Sequence, residues 1–306
     1  MILCCGEALI DMLPRETTRG EAAFAPYAGG AVFNSAIALA RLGAPVEFFT
    51  GLSSDSFGDM LRQTLVDSGV GTAYAHVSDR PTTLAFVRLR NEQASYLFYD
   101  EGTAGRMLAE ADLPPIGPAI NAMLFGAISL IPEPCGSTYE ALLAREKDHR
   151  VIMLDPNIRP GFIPDADRHR ARIRRMAAMS DIVKFSDEDL GWFDSVGSLE
   201  DRARRWLGTG AKLVLVTRGA KGAFAVTRDH LVEVDAQAVT VVDTVGAGDT
   251  FNAGLLASLN ELGLLTKAGI ATISVQDIRA ALELGVRAAA VTVSRAGANP
   301  PWKREL

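Results

Sequence analysis

Cysteine, histidine and long apolar runs are all scarce in this chain, and each scarcity removes a class of chemistry. The three cysteines, Cys4, Cys5 and Cys135, are odd in number and form no CxxC pair, so neither a disulfide framework nor a thiolate metal site is supported. The four histidines, His76, His149, His169 and His230, lie scattered without metal-ligand spacing. "AMLFGAISLI", among the longest apolar stretches, has ten residues, whereas a bilayer span needs about twenty. Excess positive charge is missing too. The net charge is −6 with acids and bases mixed along the chain, which offers no surface for nucleic acid or anionic membrane. Any anionic ligand must therefore be held locally.

Several motifs are also absent. There is no GxxxxGK[ST] phosphate loop, no GxSxG, no HExxH, and no GxGxxG after the first strand. Serine-hydrolase, zincin and dinucleotide-binding readings lose their support. The N-terminal "MILCCGEALIDML" has no basic leader, and Glu7 and Asp11 interrupt its apolar residues, so it reads as a first strand rather than a signal peptide. A cytoplasmic protein is expected.

What is present is an α/β rhythm. With 306 residues, 48% hydrophobic and 22% charged, the chain suits one large α/β domain with an elaboration, or two domains. Short β-like runs ("VEFFTG", "VIMLD", "DIVKF", "KLVLVT") alternate with helical patterns ("VFNSAIALARLG", "FGDMLRQTLVDSG", "DIRAALELGVRAAAV"). Such alternation predicts βαβ units and a mostly parallel sheet, with functional loops at the strands' carboxyl ends. Two stretches, 12–30 and 82–104, instead alternate apolar and polar residues between turn residues. They read as inserted antiparallel strands forming a lid. No repeat or long linker divides the chain, so 1–306 is expected to be one domain.

The most informative stretch is "DTVGAGDTFNAGLL", 243–256. Gly246-Ala247-Gly248 can present consecutive backbone N–H groups, and Phe251, Leu255, Leu256 and Leu259 follow at helical spacing. That places an anion-binding turn at a helix N-terminus. Asp249 directly behind it is, taken alone, equally an ordinary first-turn carboxylate.

"GGAVFNSAIALARLGAPVEFFTGLSSDSFGDMLRQTL" near the front and "DTVGAGDTFNAGLLASL" near the back together resemble the two signatures of the ribokinase-like (PfkB-type) carbohydrate kinases. "DPNIRP", "KFSDED", "VTRGAKGA" and "TVSRAGANPPW" extend the likeness over the whole chain. The resemblance implies a three-layer α/β/α core with a small β-sheet lid. It also implies transfer of phosphoryl from ATP, with Mg²⁺, to a sugar hydroxyl.

Carried over, Asp249 is the general base, and Gly246, Ala247 and Gly248 form the anion hole. Base and hole must lie within one turn because nucleophile and phosphorus approach to near contact. The sugar site falls to Asp11, Gly29, Gly30 and Asn34. Asp accepts, Asn donates and accepts, and glycine admits close approach of the backbone. Asn34 by itself also reads as a cap or solvent residue. The lid aromatics Tyr96 and Phe98 share one face and Tyr99 the other, so at most one set meets sugar; lid packing or a homodimer contact is the other reading. Arg159 is implied as the cation between sugar and phosphates, and otherwise is a turn residue.

The resemblance further implies nucleotide contacts from Lys184, Ser186, Thr217, Gly219, Gly222 and Gly285, although Lys184 also reads as a solvated lysine. Ser186 stands where the family has Asn, and Asp189 where it has Glu. Carboxylate and polar oxygen are retained with shorter reach, which suits water-mediated contact to Mg²⁺. A potassium ion is implied beside the anion hole, held by Asp243 and by backbone oxygens of Val245, Thr292, Arg295 and Gly297. Pro301 replaces a residue that can supply a hydroxyl there. "DPNIR" with "SRAGANPP" looks most like the fructokinase branch. The expected reaction is therefore phosphorylation of D-fructose at C6, with 2-keto-3-deoxygluconate or ribose as alternative substrates. A sugar-binding protein without turnover has no need of the intact base, and an oxidoreductase lacks its fingerprint.

Overall fold

The structure, a computed structural model, describes residues 1–90 and 93–306, with the side chains of 88–90 and 93–96 left undescribed. The chain runs through β1 (Ile2–Cys5), β2 (Leu9–Glu16), β3 (Ala22–Gly29), α1 (Ala31–Arg41), β4 (Val46–Phe49), β5 (Gly51–Ser53), α2 (Ser56–Asp67) and β6 (His76–Ser78). It continues through β7 (Leu84–Arg90), β8 (Gln93–Tyr99), β9 (Ala122–Gly126), α3 (Cys135–Glu146), β10 (Val151–Asp155), α4 (Ala166–Ala178), β11 (Ile182–Ser186) and α5 (Asp187–Phe193). The last elements are α6 (Leu199–Leu207), β12 (Leu213–Thr217), β13 (Ala223–Val226), β14 (Leu231–Val234), α7 (Ala247–Glu261), α8 (Lys267–Ala271) and α9 (Val275–Val293).

Among the described residues, the main sheet has the order β14-β13-β12-β11-β10-β9-β1-β4. It is parallel from β4 to β12 and antiparallel at β12-β13-β14. Both faces are covered, and the strand residues show how. Ile2 and Cys4 of β1 enter one core with α1 and α7, while Leu3 and Cys5 enter another with α3 and α4. The same split separates Val151 and Met153 from Ile152 and Leu154 in β10. Period-two alternation between two apolar layers explains why these strands read as continuous hydrophobic runs.

The two inserted stretches form a separate sheet of order β3-β2-β7-β8. Each is an antiparallel hairpin, as expected, but the hairpins join through a parallel β2-β7 pairing. Register places Asp11, Ala85 and Phe98 on one face and Met12, Phe86 and Leu97 on the other.

The strand order reverses around β1, whose neighbours are β4 and β9. Loops leaving the carboxyl ends of parallel strands near such a reversal form a natural ligand crevice. Glu7, Asp155, Ser186 and Thr217 all stand at those ends, directly after β1 or closing β10, β11 and β12.

Candidate active site

The glycine turn does what its composition allows. Gly246 adopts a left-handed φ of 78° as N-cap of α7, and a Cβ there would stand 2.8 Å from the Ala298 Cβ. The first-turn N–H groups have no intrahelical acceptor, and no side chain caps them. Apart from the Ala247 N–H, which donates to the Thr244 carbonyl at 3.3 Å, they are available to an anion, with the positive end of the helix dipole behind them.

Asp249, one residue on, is buried. Asn34 on α1 donates its side-chain amide to Asp249 Oδ2 at 3.0 Å, and the Ser35 hydroxyl donates to the Asp249 carbonyl at 3.1 Å. Burial pushes the Asp249 carboxyl up to about 7; Asp155 and Glu7 add to the rise, and Asn34 and Lys184 oppose it. A carboxylate poised near neutrality is suited to accept a proton.

Two large cavities open near the carboxyl ends of the strands, one of them reaching the α7 N-terminus. One, about 530 Å³, is lined by Thr217, Gly219, Gly222 and Gly248 and by apolar residues including Val239 and Val286. Its width and apolar walls suit a flat heterocycle, with the glycine turn at one end for phosphates. Gly222 must be glycine: its φ is 78°, and a Cβ would lie 2.1 Å from the Val234 carbonyl oxygen. Gly285 does not reach this cavity, contrary to expectation. It sits where α9 crosses α7, with a Cβ on Gly254 only 2.7 Å from the Gly285 Cα, and it permits helix contact. Its neighbour Val286 is the lining residue.

The other cavity, about 260 Å³, is lined by Glu7, Leu9, Thr83, Phe98, Asp100 and Arg106, among others. Of the expected sugar contacts, Phe98 is the one that lines it. Asp11 lies two residues from Leu9 on the same strand face, and burial pushes its carboxyl up to about 6. Gly29 and Gly30 give it and Glu7 room: a Cβ on Gly29 would be 2.4 Å from Asp11 Oδ2, and one on Gly30 2.7 Å from the Glu7 carbonyl oxygen. Tyr99 is a correction. It is 57% exposed and packs edge-on against Phe86 at 5.5 Å on the opposite face of the lid. The Tyr96 side chain lies outside the described residues. Phe98 meets Phe162 edge-on at 4.6 Å, which brings the lid onto the loop that carries Arg159. Arg159 is exposed at the β10 loop and, among the described residues, donates to the adjacent Ile158 carbonyl at 3.1 Å.

Lys184 is buried rather than solvated, with Nζ 3.0 Å from Asp155 Oδ2. Burial works against its charge, but Asp155 and Asp189 outweigh that and hold its pKa above the usual lysine value. Ser186 and Asp189 form a capping box on α5. Asp189 Oδ2 accepts the Ser186 N–H, and Oδ1 accepts the Ile158 N–H at 2.8 Å. Both carboxylate oxygens thus hold backbone, and the β10 loop is tied to α5.

The expected potassium residues come together. Asp243 accepts the N–H of Val245 at 3.0 Å and of Gly297 at 2.9 Å, and the Thr292 carbonyl accepts the Arg295 N–H at 3.0 Å.

Glu7 and Asn252 stand at the site without having been among the expected residues. Glu7 caps α1 from outside, its Oε1 accepting the Ala31 N–H at 2.8 Å; burial pushes its carboxyl up to about 7 against bonds from Ser129 and Ala31. A lone acid just past β1 was the available signal. Asn252 lies one turn after Asp249, a spacing that puts both on one helix face.

Comparison with known proteins agrees with this geometry. The family model described as "pfkB family carbohydrate kinase" matches residues 1–305. A fructokinase of Rhizobium leguminosarum bv. trifolii is 62% identical over 279 residues, covering 91% of this chain and 86% of that protein. The structure of a Xylella fastidiosa fructokinase with bound ATP superposes with a TM-score of 0.89 at 29% identity, covering 97% of this chain and 93% of that one. A fructokinase double mutant from Vibrio cholerae O395, in a form bound to fructose, ADP and potassium ion, gives 0.83 at 27% identity, covering 97% and 93%. With a buried carboxylate behind a glycine-rich helix start, and with this match over residues 1–305, the chain belongs to the pfkB family of carbohydrate kinases.

Proposed function

We propose that this kinase transfers the γ-phosphoryl group of ATP to the C6 hydroxyl of D-fructose, giving fructose 6-phosphate and ADP. The observation that carries the reading is Asp249, buried directly behind the glycine turn that opens α7, with Gly248 of that turn lining the larger cavity. Asp249 takes the proton of the sugar hydroxyl, whose oxygen bonds to phosphorus as the bond to ADP breaks. The first-turn amides of α7 receive the charge on the transferred group, fixed in place before reaction. The larger cavity takes the nucleoside, the smaller one the sugar. Asp11 and Asn34 orient hydroxyls, Phe98 covers the ring, and Arg159 swings from the Ile158 carbonyl to the phosphates. The named activity of the 62% identical relative supports fructose as the substrate.

Mg²⁺ bound with ATP supplies neutralisation of phosphate charge. Asp189 fits such an ion through water, since its two oxygens keep lone pairs beyond the backbone bonds they accept. Potassium beside the anion hole would be held by Asp243 and the 292–297 loop; a potassium titration that leaves the rate flat removes it. We place the enzyme in the cytoplasm, on the three free buried thiols. No helix among the described residues is long and apolar enough to cross a membrane.

The test is a coupled ADP-release assay with Mg-ATP against fructose, 2-keto-3-deoxygluconate, ribose, adenosine, fructose 6-phosphate and glucose. Strongest turnover with another sugar sinks the fructose assignment. Turnover that survives Asp249→Asn sinks the general base.

A further inference from the structure

Three side chains with no part in the steps above meet beneath the anion hole. Asp155 Oδ2 accepts from Lys184 Nζ at 3.0 Å and from Asn252 Nδ2 at 2.6 Å, while Oδ1 accepts the Asn157 N–H at 3.1 Å. The carboxylate is thereby oriented from β11, α7 and its own loop. All three side chains are buried, Asn252 to 2% exposure. Lys184 Nζ lies 3.3 Å from the point where a Cβ on Gly248 would stand, so the ammonium rests against the anion-hole turn itself.

Two details separate this cluster from ordinary core packing. A long lysine side chain ordered in one buried position gives up rotamer freedom and hydration, and a partner must compensate for both. Asp155, not the base, supplies its ion pair. Asn252 Oδ1 is buried without a partner among the described residues, and Asn252 lines a void of about 10 Å³ that Asp155 and Asp249 also line. That is room for about one water. Amides with a purely architectural role generally have both ends satisfied.

We propose that Asp155 and Asn252 are positioning residues for phosphoryl transfer, holding the Lys184 ammonium against Gly248, where it supports the negative charge received by the anion hole. Asn252 acts through Asp155: its amide fixes the carboxylate rotamer, and that rotamer fixes Nζ. The inference rests on phosphoryl transfer as the reaction.

A double-mutant cycle tests it. Asn252→Leu keeps the volume and removes the donor; kcat falls about tenfold while KM for fructose stays within about twofold. In a Lys184→Met background the same substitution costs less than about twofold, because there is no ammonium left to position. Equal losses in both backgrounds, or an unchanged kcat in the single variant, overturn the proposal. Should Asn252→Leu not fold, Asn252→Ser is carried through the same cycle, with thermal unfolding followed alongside. Wild-type protein without sugar-dependent ADP release sinks the kinase reading and this inference together, whereas active wild type with an additive cycle sinks this inference alone.

Discussion

Asn34 donates to Asp249 across 3.0 Å of space and 215 residues of sequence, and so links the first signature helix to the last. The bond does two things. It orients the Asp249 carboxylate, and it favours its charged form against the burial that raises its pKa.

Asp249→Asn should lower kcat by about a thousandfold with little change in KM for ATP, the size expected when a general base is lost. In the wild type, kcat/KM for fructose should rise with pH through about 7, the value to which burial pushes this carboxyl. The same shift has a stability consequence. A carboxyl raised in the folded state contributes stability that is complete below its ordinary pKa and is lost as pH rises towards 7. Asp249→Asn should therefore be the more stable protein at pH 8, by about 1–3 kcal/mol, and the two should converge near pH 4 in urea unfolding.

Asn34→Ala removes a bond that lowers the Asp249 pKa, so the acid limb of the pH profile should move above that of the wild type. A limb that stays in place while kcat/KM falls would restrict Asn34 to sugar contact.

Gly285→Ala probes the helix crossing rather than nucleotide binding. Its methyl would meet the Phe251 ring at 2.9 Å, and overpacking of this kind costs about 1–3 kcal/mol. Chemical unfolding should show that loss with the KM for ATP little changed; a raised KM with full stability would return Gly285 to the nucleotide site.

The outer lid face joins Phe24, Phe86 and Tyr99 through edge-on contacts of 5.0 and 5.5 Å, with Phe24 and Tyr99 largely exposed. This is the face on which the homodimer contact expected from the lid strands would fall. Sedimentation of the wild type should give a dimer, and Tyr99→Asp should shift it towards monomer; a wild-type monomer disproves the contact.

Phe98→Ala should loosen the lid's hold on Phe162 and raise ATP hydrolysis relative to fructose phosphorylation. An unchanged ratio would remove the lid's role in excluding water.

The alternation of strands and helices, the glycine turn opening α7 and the carboxylate behind it are all legible in the amino-acid order. These rest on local physics: apolar period, turn chemistry and the unpaired amides of a helix start all act within a few residues. Which side chains share space emerges from the folded chain alone. Gly285 faces Phe251 because α7 and α9 cross there, and Tyr99 points outward because β8 pairs with β7 in one register. Lys184 is buried because Asp155, 29 residues earlier, ends the neighbouring strand. Such contacts depend on strand order and helix crossing, to which no short stretch of the chain responds.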